Sequence, residues 1–596
     1  MTTTAAVFLQ TLSRAGITHA FVNWGNDHPA FLEELERQRV GNDGNTDVQI
    51  VTCPNEMVAL SAAQGYAQVT RKPAAVIVHV DVGTQALAGA VHNVDRARTP
   101  VLIFAGAAPF SGQGELKGSK NEWPMWPQDV PDQPAIVRQY MRYTAQILSV
   151  KNVPKVVMRA LQFATSDPRG PTYLWARREV LEEESGPSTT STNINIMKWP
   201  SIQPTALNSE AVQRISAALL TAHFPLIITG HSGRNPCTVP LLTALSNQLG
   251  IAIYVSCPSA VCVPYSHPTY LGMSFGGKNP ILHEADVILI LDTDVPWVDA
   301  QENTPKQDAR IFVVDPDPLK QGMGWSHVDA ELVCRADAEV ALSQLHEAVN
   351  LPGLPISPDS KKILSRKENL QQRHDEWIHR LQAVETTSVD GPTPTVVSII
   401  STLRQTVIEL TPSRGQKTLW INECSSNLPI VFDHVRPDIP DSMICSGGTS
   451  IGYCLGAAVG AQLGAKVAGK EPELTLVVVG DGTFLFCVPS AAYWMARRYE
   501  TPHLTIVLNN GGWASPINSM KGIYPAGHGS RASGDRLSVG FGPDMPDYGQ
   551  IAAAAGGAWA AKIELPGSEK SILKEAVRIV LEEKRCAVVE CVVESI

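Results

Sequence analysis

The chain has 596 residues, 44% hydrophobic and 18% charged, with a formal net charge of −10. This length is too great for one hydrophobic core, so several domains of ordinary globular composition are expected. An acidic chain without a long basic run gives nucleic-acid binding little electrostatic support. Its longest apolar runs, such as LIITG and DVILILD, are far below the ~20 residues that span a bilayer, so no membrane segment is expected.

The eleven cysteines form no CxxC pair. The N-terminus, MTTTAAVFLQTLSRAG, lacks a basic start, an apolar core and a small-residue cleavage site. Free thiols and a cytoplasmic protein are the expectation.

In chain order, the first segment alternates short apolar strands (74–80, 99–106) with helical stretches, one of them from Gln85. A Ser/Thr/Pro-rich linker at 185–205 follows. The second segment, about 207–349, carries the strands PLIITG, IAIYVS, ADVILILD and ARIFVVD. A charged helical stretch (361–384) and a Pro-containing link lead into the third segment, with TLWIN, ELTLVVVGD, HLTIVLNN and AVVECVV. Near-continuous apolar strands suit sheets covered on both faces. The expected fold is α/β, with three doubly wound parallel-sheet domains at 1–185, 205–349 and 390–596.

The third segment holds the strongest motif, VVVGDGTFLF followed by TIVLNNGGW. One apolar strand should end at Val479, turn tightly through Gly480, Asp481 and Gly482, and open a helix at Thr483. A second strand should end at Asn509 and Asn510. Parallel strands ending at one edge make the crevice where α/β sheets hold ligands. Asp481 and Asn510 offer hard oxygens that suit octahedral magnesium, which keeps phosphate oxygens in its shell. The glycines let backbone N–H groups approach a diphosphate at a helix start.

These residues resemble the diphosphate-binding motif of thiamine diphosphate enzymes, and the resemblance covers nearly the whole chain. It implies that Asp481, Asn510 and the Gly512 carbonyl bind Mg2+, and that Gly482 and Thr483 contact the diphosphate. INECSSN resembles a strand-end loop of benzoylformate decarboxylase, which implies diphosphate contacts from Ser425 and Ser426. SGGTSIGYCLGAAVGAQLG resembles the glycine-rich segment of decarboxylases and acetolactate synthases. There Ile451 would hold the cofactor bent, and the Thr449 carbonyl would accept from its aminopyrimidine.

In the first segment, CPNEMVALSAAQGYAQVTRKPA resembles the pyrimidine-binding segment of acetolactate synthase and benzoylformate decarboxylase. Glu56 would bond the pyrimidine nitrogen, promoting the amine-to-imine change that deprotonates the thiazolium carbon; burial raises a carboxyl's pKa and suits it to this task. His79 aligns with an active-site histidine of the decarboxylase and would transfer protons. Asn26 and His28, in NWGNDHP, occupy the loop that carries the family's catalytic serine, which is absent here. The segment NEWPMWPQD, with Gln128, is expected to line the substrate channel. Trp513 and the glycine-rich stretch 522–542 are expected to form a lid that excludes water.

A second decarboxylase histidine is missing from TDVPWVDAQEN, and the paired histidines of pyruvate decarboxylase are missing after AGAAP. These departures argue against simple benzoylformate or pyruvate decarboxylation. GHSGR and VDPDP match places where acetolactate synthases contact FAD, but one Gly-containing turn is a weak nucleotide signal and the Arg-rich FAD signature is not evident. FAD stays an open alternative to a purely structural middle domain. The resemblance thus implies acetolactate-synthase-like decarboxylation and carboligation of a small 2-oxo acid, in a homodimer or homotetramer with active sites between chains. The alternatives are a non-ligating 2-oxo acid decarboxylase, a 2-hydroxyacyl lyase, and an inactive cofactor-binding regulatory homologue, against which the intact Glu56 argues.

Overall fold

A computed structural model describes residues 2–185, 194–299, 303–324, 328–351, 360–388 and 393–594. Residues 186–193 of the linker, part of TDVPWVDAQEN and the Pro-containing link before 393 lie outside the described residues.

Three six-stranded parallel sheets carry the fold. The N-terminal sheet contains β1 (His19–Val22), β2 (Gln49–Thr52), β3 (Ala74–Val78), β4 (Val101–Ala107), β5 (Tyr143–Gln146) and β6 (Thr172–Arg177), in the order β2-β1-β3-β4-β6-β5. The central sheet contains β7 (Pro225–Thr229), β8 (Ala252–Ser256), β9 (Tyr270–Ser274), β10 (Val287–Leu291), β11 (Arg310–Asp315) and β12 (Leu332–Arg335), in the order β9-β8-β7-β10-β11-β12. The C-terminal sheet contains β13 (Thr418–Glu423), β14 (Met443–Ile444), β15 (Leu474–Gly480), β16 (Leu504–Asn509), β17 (Trp559–Ile563) and β18 (Ala587–Val592), in the order β14-β13-β15-β16-β18-β17. The first and third sheets therefore share one strand order. The central sheet follows the 3-2-1-4-5-6 order of dinucleotide-binding folds.

The inner strands are buried along their whole length, as in Ala74–Val78 and Val287–Leu291. Their unbroken apolar runs follow from this, because helices cover both faces. The N- and C-terminal domains share one apolar cluster, which runs from Val58, Ala62 and Tyr66 into Tyr453, Leu455 and Ala457. The seam is the contact of helix Glu56–Thr70 with helix Cys454–Ala468. It is backbone against backbone: a Cβ at Gly460 would fall 1.8 Å from the Ala62 carbonyl oxygen.

The 27-residue helix Lys361–Thr387 docks on the central domain through Arg366. The buried Arg366 guanidinium donates to the carbonyls of Leu219, Leu220, Ala222 and Leu249, which terminate two helices. No helix among the described residues is long and apolar enough to cross a membrane.

Candidate functional site

Three strand ends meet at one edge of the C-terminal sheet. Glu423 pairs in register with Val479, and Gly480 with Leu508. The helix after β15 starts at Asp481, two residues earlier than the motif suggests, with Gly480 extended as its cap. Asp481 is 2% exposed. Its Oδ1 accepts from Gly482 N (2.7 Å) and its Oδ2 from Gly512 N (2.8 Å). Burial pushes this carboxyl up to about 6, against the backbone N–H groups of Gly482, Gly512, Gly511 and Asn510 that favour the anion.

The fit to a hard cation can be tested at Asn510. Its terminal amide atom facing this pair lies 3.3 Å from Asp481 Oδ2 and 2.8 Å from the Gly512 carbonyl oxygen. As an oxygen it makes a cluster of three oxygens, each in need of positive charge; only as a nitrogen does it make hydrogen bonds. An oxygen cluster of this kind suits Mg2+.

These groups open into a cavity of about 1000 Å³. It gathers Ser425, Ser426, Thr449, Ile451, Asp481, Gly482, Thr483, Asn510, Gly512 and Trp513. Ile451 is only partly buried, so it projects into the cavity instead of filling the core. Trp513 covers the segment 480–482 closely: a Cβ at Gly482 would lie 2.5 Å from Trp513 Nε1. The stretch after helix Ala514–Ile523 returns to the same loop, with Trp513 N bonded to Val539 O and Phe541 N to Gly511 O. The rings of Trp513 and Phe541 meet edge to face at 5.1 Å.

Glu423 was missing from the sequence-based candidates, although it stands inside INECSSN. It is 6% exposed and accepts the N–H groups of Tyr453 (3.1 and 3.0 Å) and Cys454 (2.8 Å), at the start of helix Cys454–Ala468. It thus ties the serine loop to the glycine-rich segment. Burial pushes its carboxyl up to about 7 although these N–H groups oppose the shift.

The described lining of the cavity comes from the central and C-terminal domains alone. The N-terminal candidates form a second cluster. Glu56 opens helix Glu56–Thr70 behind the Asn55 cap, and His79 caps helix Val80–Arg96, which starts five residues before the expected Gln85. Glu56 and His79 flank one glycine: a Cβ at Gly83 would lie 3.4 Å from Glu56 Oε1 and 3.6 Å from His79 Cβ. Burial raises the Glu56 carboxyl, with its own backbone N–H and His79 opposing. Gln128 lies beside the His79 ring, and its Oε1 has no hydrogen-bond partner among the described residues. Asn26 Nδ2 donates to Glu122 Oε2 (3.0 Å), pinning the Trp-rich loop to the loop after β1.

His28 requires a correction. Expected to face substrate, it is wholly buried, packed against Trp24, Phe31 and His79. The residue beside it, Asp27, is the one that reaches the site: its Oδ1 bonds His79 Nδ1. The loop sequence alone does not reveal this, because the contact depends on β1 lying beside β3.

In the central domain, the GHSGR turn lines a separate cavity of about 350 Å³ together with Arg98, Asp292 and Asp337. Arg234 there is bound to Asp292 at 2.8 Å, and Arg98 bridges Asp292, Asp294 and Asp315.

The fold and the oxygen-lined strand edge define an α/β enzyme that takes a diphosphate-bearing cofactor. Residues 2–136 match the N-terminal TPP binding domain of thiamine pyrophosphate enzymes, 212–345 their central domain and 427–591 their C-terminal TPP binding domain. The chain belongs to the thiamine diphosphate-dependent enzyme superfamily. It is 22% identical over 540 residues to the 2-hydroxyacyl-CoA lyase of Saccharomyces cerevisiae, spanning 88% of this chain and 87% of that one. It is 23% identical over 517 residues to the acetolactate synthase of Bacillus subtilis, spanning 85% and 81%. The benzoylformate decarboxylase structure from Polynucleobacter necessarius superposes with a TM-score of 0.77 at 18% identity, over 100% of this chain and 99% of that one.

Proposed function

We propose that this chain is a thiamine diphosphate- and Mg2+-dependent enzyme that decarboxylates a small 2-oxo acid and joins the remaining acyl unit to a second carbonyl, as in acetolactate-synthase-like carboligation. One observation carries the reading: the same chain holds an oxygen-lined diphosphate cavity and, apart from it, a half-buried carboxyl–imidazole cluster. In this reading Asp481, Asn510 and the Gly512 carbonyl hold the cation. Gly482, Thr483, Ser425 and Ser426 take the diphosphate. Thr449 and Ile451 orient the aminopyrimidine. Once bound, the cofactor supplies the electron sink for a carbanion.

Glu56 shares a proton with the pyrimidine nitrogen, and His79 moves a proton at the reacting carbonyl. Gln128 and Asn26 belong to the substrate side of that cluster, and Trp513 excludes water above the cavity. Because no described N-terminal residue lines the cavity, a second copy supplies its Glu56 cluster, making a homodimer or a homotetramer with shared sites. The cysteines, all unpaired, support a cytoplasmic setting.

The test incubates the chain with thiamine diphosphate, MgCl2 and a panel of pyruvate, 2-oxobutanoate, benzoylformate and a 2-hydroxyacyl thioester, reading carbon dioxide, aldehyde and the ligated product. Carbon dioxide with a 2-hydroxy-3-oxo acid product supports the proposal. Carbon dioxide with aldehyde alone, or cleavage of a 2-hydroxyacyl thioester without carbon dioxide, replaces carboligation by decarboxylase or lyase chemistry. No reaction in any assay, with the cofactor bound, overturns it.

A further inference from the structure

Asp27 is a buried charge to which the proposed function gives no task. It lies on the loop after β1 and is 1% exposed. Its Oδ1 bonds His79 Nδ1, and its Oδ2 accepts from Val80 N at 3.3 Å. His28 Nε2 stands 3.5 Å from the same Oδ2. His28 Nδ1 accepts from Gly25 N at 3.1 Å, so a neutral His28 carries its proton on Nε2, which has no hydrogen-bond partner among the described residues. The carboxylate is thus held by one imidazole and one backbone amide, with the His28 ring close beside it.

Two glycines clear the space for it. A Cβ at Gly25 would lie 2.0 Å from His79 Nδ1, and one at Gly106 would lie 1.5 Å from Asp27 Oδ2. Any side chain at either position would part the pair. His79, by contrast, keeps 16% of its side chain exposed. One nitrogen of the ring is therefore committed to a buried carboxylate, while the other faces the accessible side, with Gln128 near the ring.

We propose that Asp27 is a positioning residue: in the room left by Gly25 and Gly106 it locks the His79 ring with Nδ1 protonated and bonded to the carboxylate, so that Nε2 is the atom that exchanges a proton with substrate. This rests on the reading of His79 as the proton-transfer group. Nε2 gives its proton to the carbonyl oxygen that gains negative charge when its carbon is attacked. The ring is left neutral with its proton on Nδ1, and Nε2 recovers one when the oxygen is deprotonated on product formation. Asp27 itself stays ionised throughout.

The charged and titratable groups around the ring agree. They are Asp27 and His28 on the loop after β1, Glu56 at the start of its helix, and Asp81 on the helix that His79 caps. Burial favours neutral His79, but the bond and charge of Asp27, then Gln128 and Asp81, outweigh it and favour the cation. Burial likewise opposes ionised Asp27, and His28 and His79 outweigh it.

The test is histidine-selective 15N and 13C NMR on the full chain, with and without thiamine diphosphate and MgCl2. The His79 signals are assigned by their loss in His79→Gln. Above its midpoint, neutral His79 should carry its proton on Nδ1, and the near-isosteric Asp27→Asn should lower the midpoint. Gly106→Ala, which alters no ionisable group, should lower it too. An Nε2-protonated neutral ring in the unmutated chain overturns the proposal even if Asp27→Asn and Gly106→Ala do not fold, as does an unchanged midpoint in folded Asp27→Asn.

With an acid that is turned over, Asp27→Asn should lower kcat roughly 10–100-fold and leave KM nearly unchanged; a change confined to KM overturns the positioning role. The NMR readout needs no turnover, so its outcome is separate from that of the proposed reaction. An active enzyme with an Nε2-protonated ring sinks this inference alone, and an inactive chain with the Nδ1 form sinks only the reaction.

Discussion

The N- and C-terminal domains have the same strand order and place their candidate groups at equivalent points. In each sheet the third strand runs straight into a helix: His79 caps the one after β3, and Asp481 is the first residue of the one after β15. What they present differs. The C-terminal edge offers backbone amides, glycines and hard oxygens, which suit a cation and a diphosphate. The N-terminal edge offers two carboxyls and two imidazoles, suited to moving protons. One topology thus supplies a fixed cradle and a titrating cluster, and the side chains at the strand ends decide which.

The largest test of this division is Glu56→Gln. It should cut turnover of a 2-oxo acid about 10²–10⁴-fold, the usual range for a lost acid–base group, while changing cofactor affinity less than about tenfold. The converse variant is Asp481→Ala, which should weaken thiamine diphosphate binding in MgCl2 at least about 100-fold by calorimetry, because the cation loses a carboxylate ligand. If Glu56→Gln instead abolished cofactor binding, or Asp481→Ala left it intact, the cradle and the proton cluster would not be separate.

The two halves were unequally legible in the sequence. GDG and NN stand next to their own strands, so local order alone predicted the oxygen-lined edge, and the structure gathers Asp481, Asn510 and Gly512 there. The strands were readable because burial on both faces makes them continuously apolar. The N-terminal cluster depends on long-range pairing. Asp27 and His79 meet only because β1 lies beside β3, a strand order that periodicity does not encode. His28 was chosen over Asp27 for the same reason: a loop of polar residues does not say which side chain turns inward. Both helix starts, at Val80 and Asp481, were placed too late. Gly482, read as part of a tight turn, lies within a helix.

The seam that joins the halves gives the next effect. Gly460→Val would force a branched side chain into the Ala62 carbonyl. It should destabilise the fold by about 3 kcal/mol, at the upper end of the usual overpacking cost. Thermal melting would show this as a lowered midpoint for both domains together, since one apolar cluster spans them. A two-step melt would mean that the domains are not coupled through this helix pair.

The smallest effect separates the halves by the agent that each senses. His79 is raised above its ordinary value of about 6.5 in the fold, since Asp27 and the neighbouring acids outweigh burial. A basic group raised by folding adds stability that is fully present below its unfolded pKa and is lost as pH rises through the folded one. The unmutated chain should therefore out-melt His79→Gln near pH 6, and the gap should shrink as pH rises past the folded midpoint. Removing divalent ions with EDTA should leave that pH-dependent gap unchanged and reduce only the stabilisation gained from thiamine diphosphate. A gap that stayed constant across the pH range would mean that His79 does not change charge there. A gap that vanished on chelation would show that the cation and the His79 cluster are not independent.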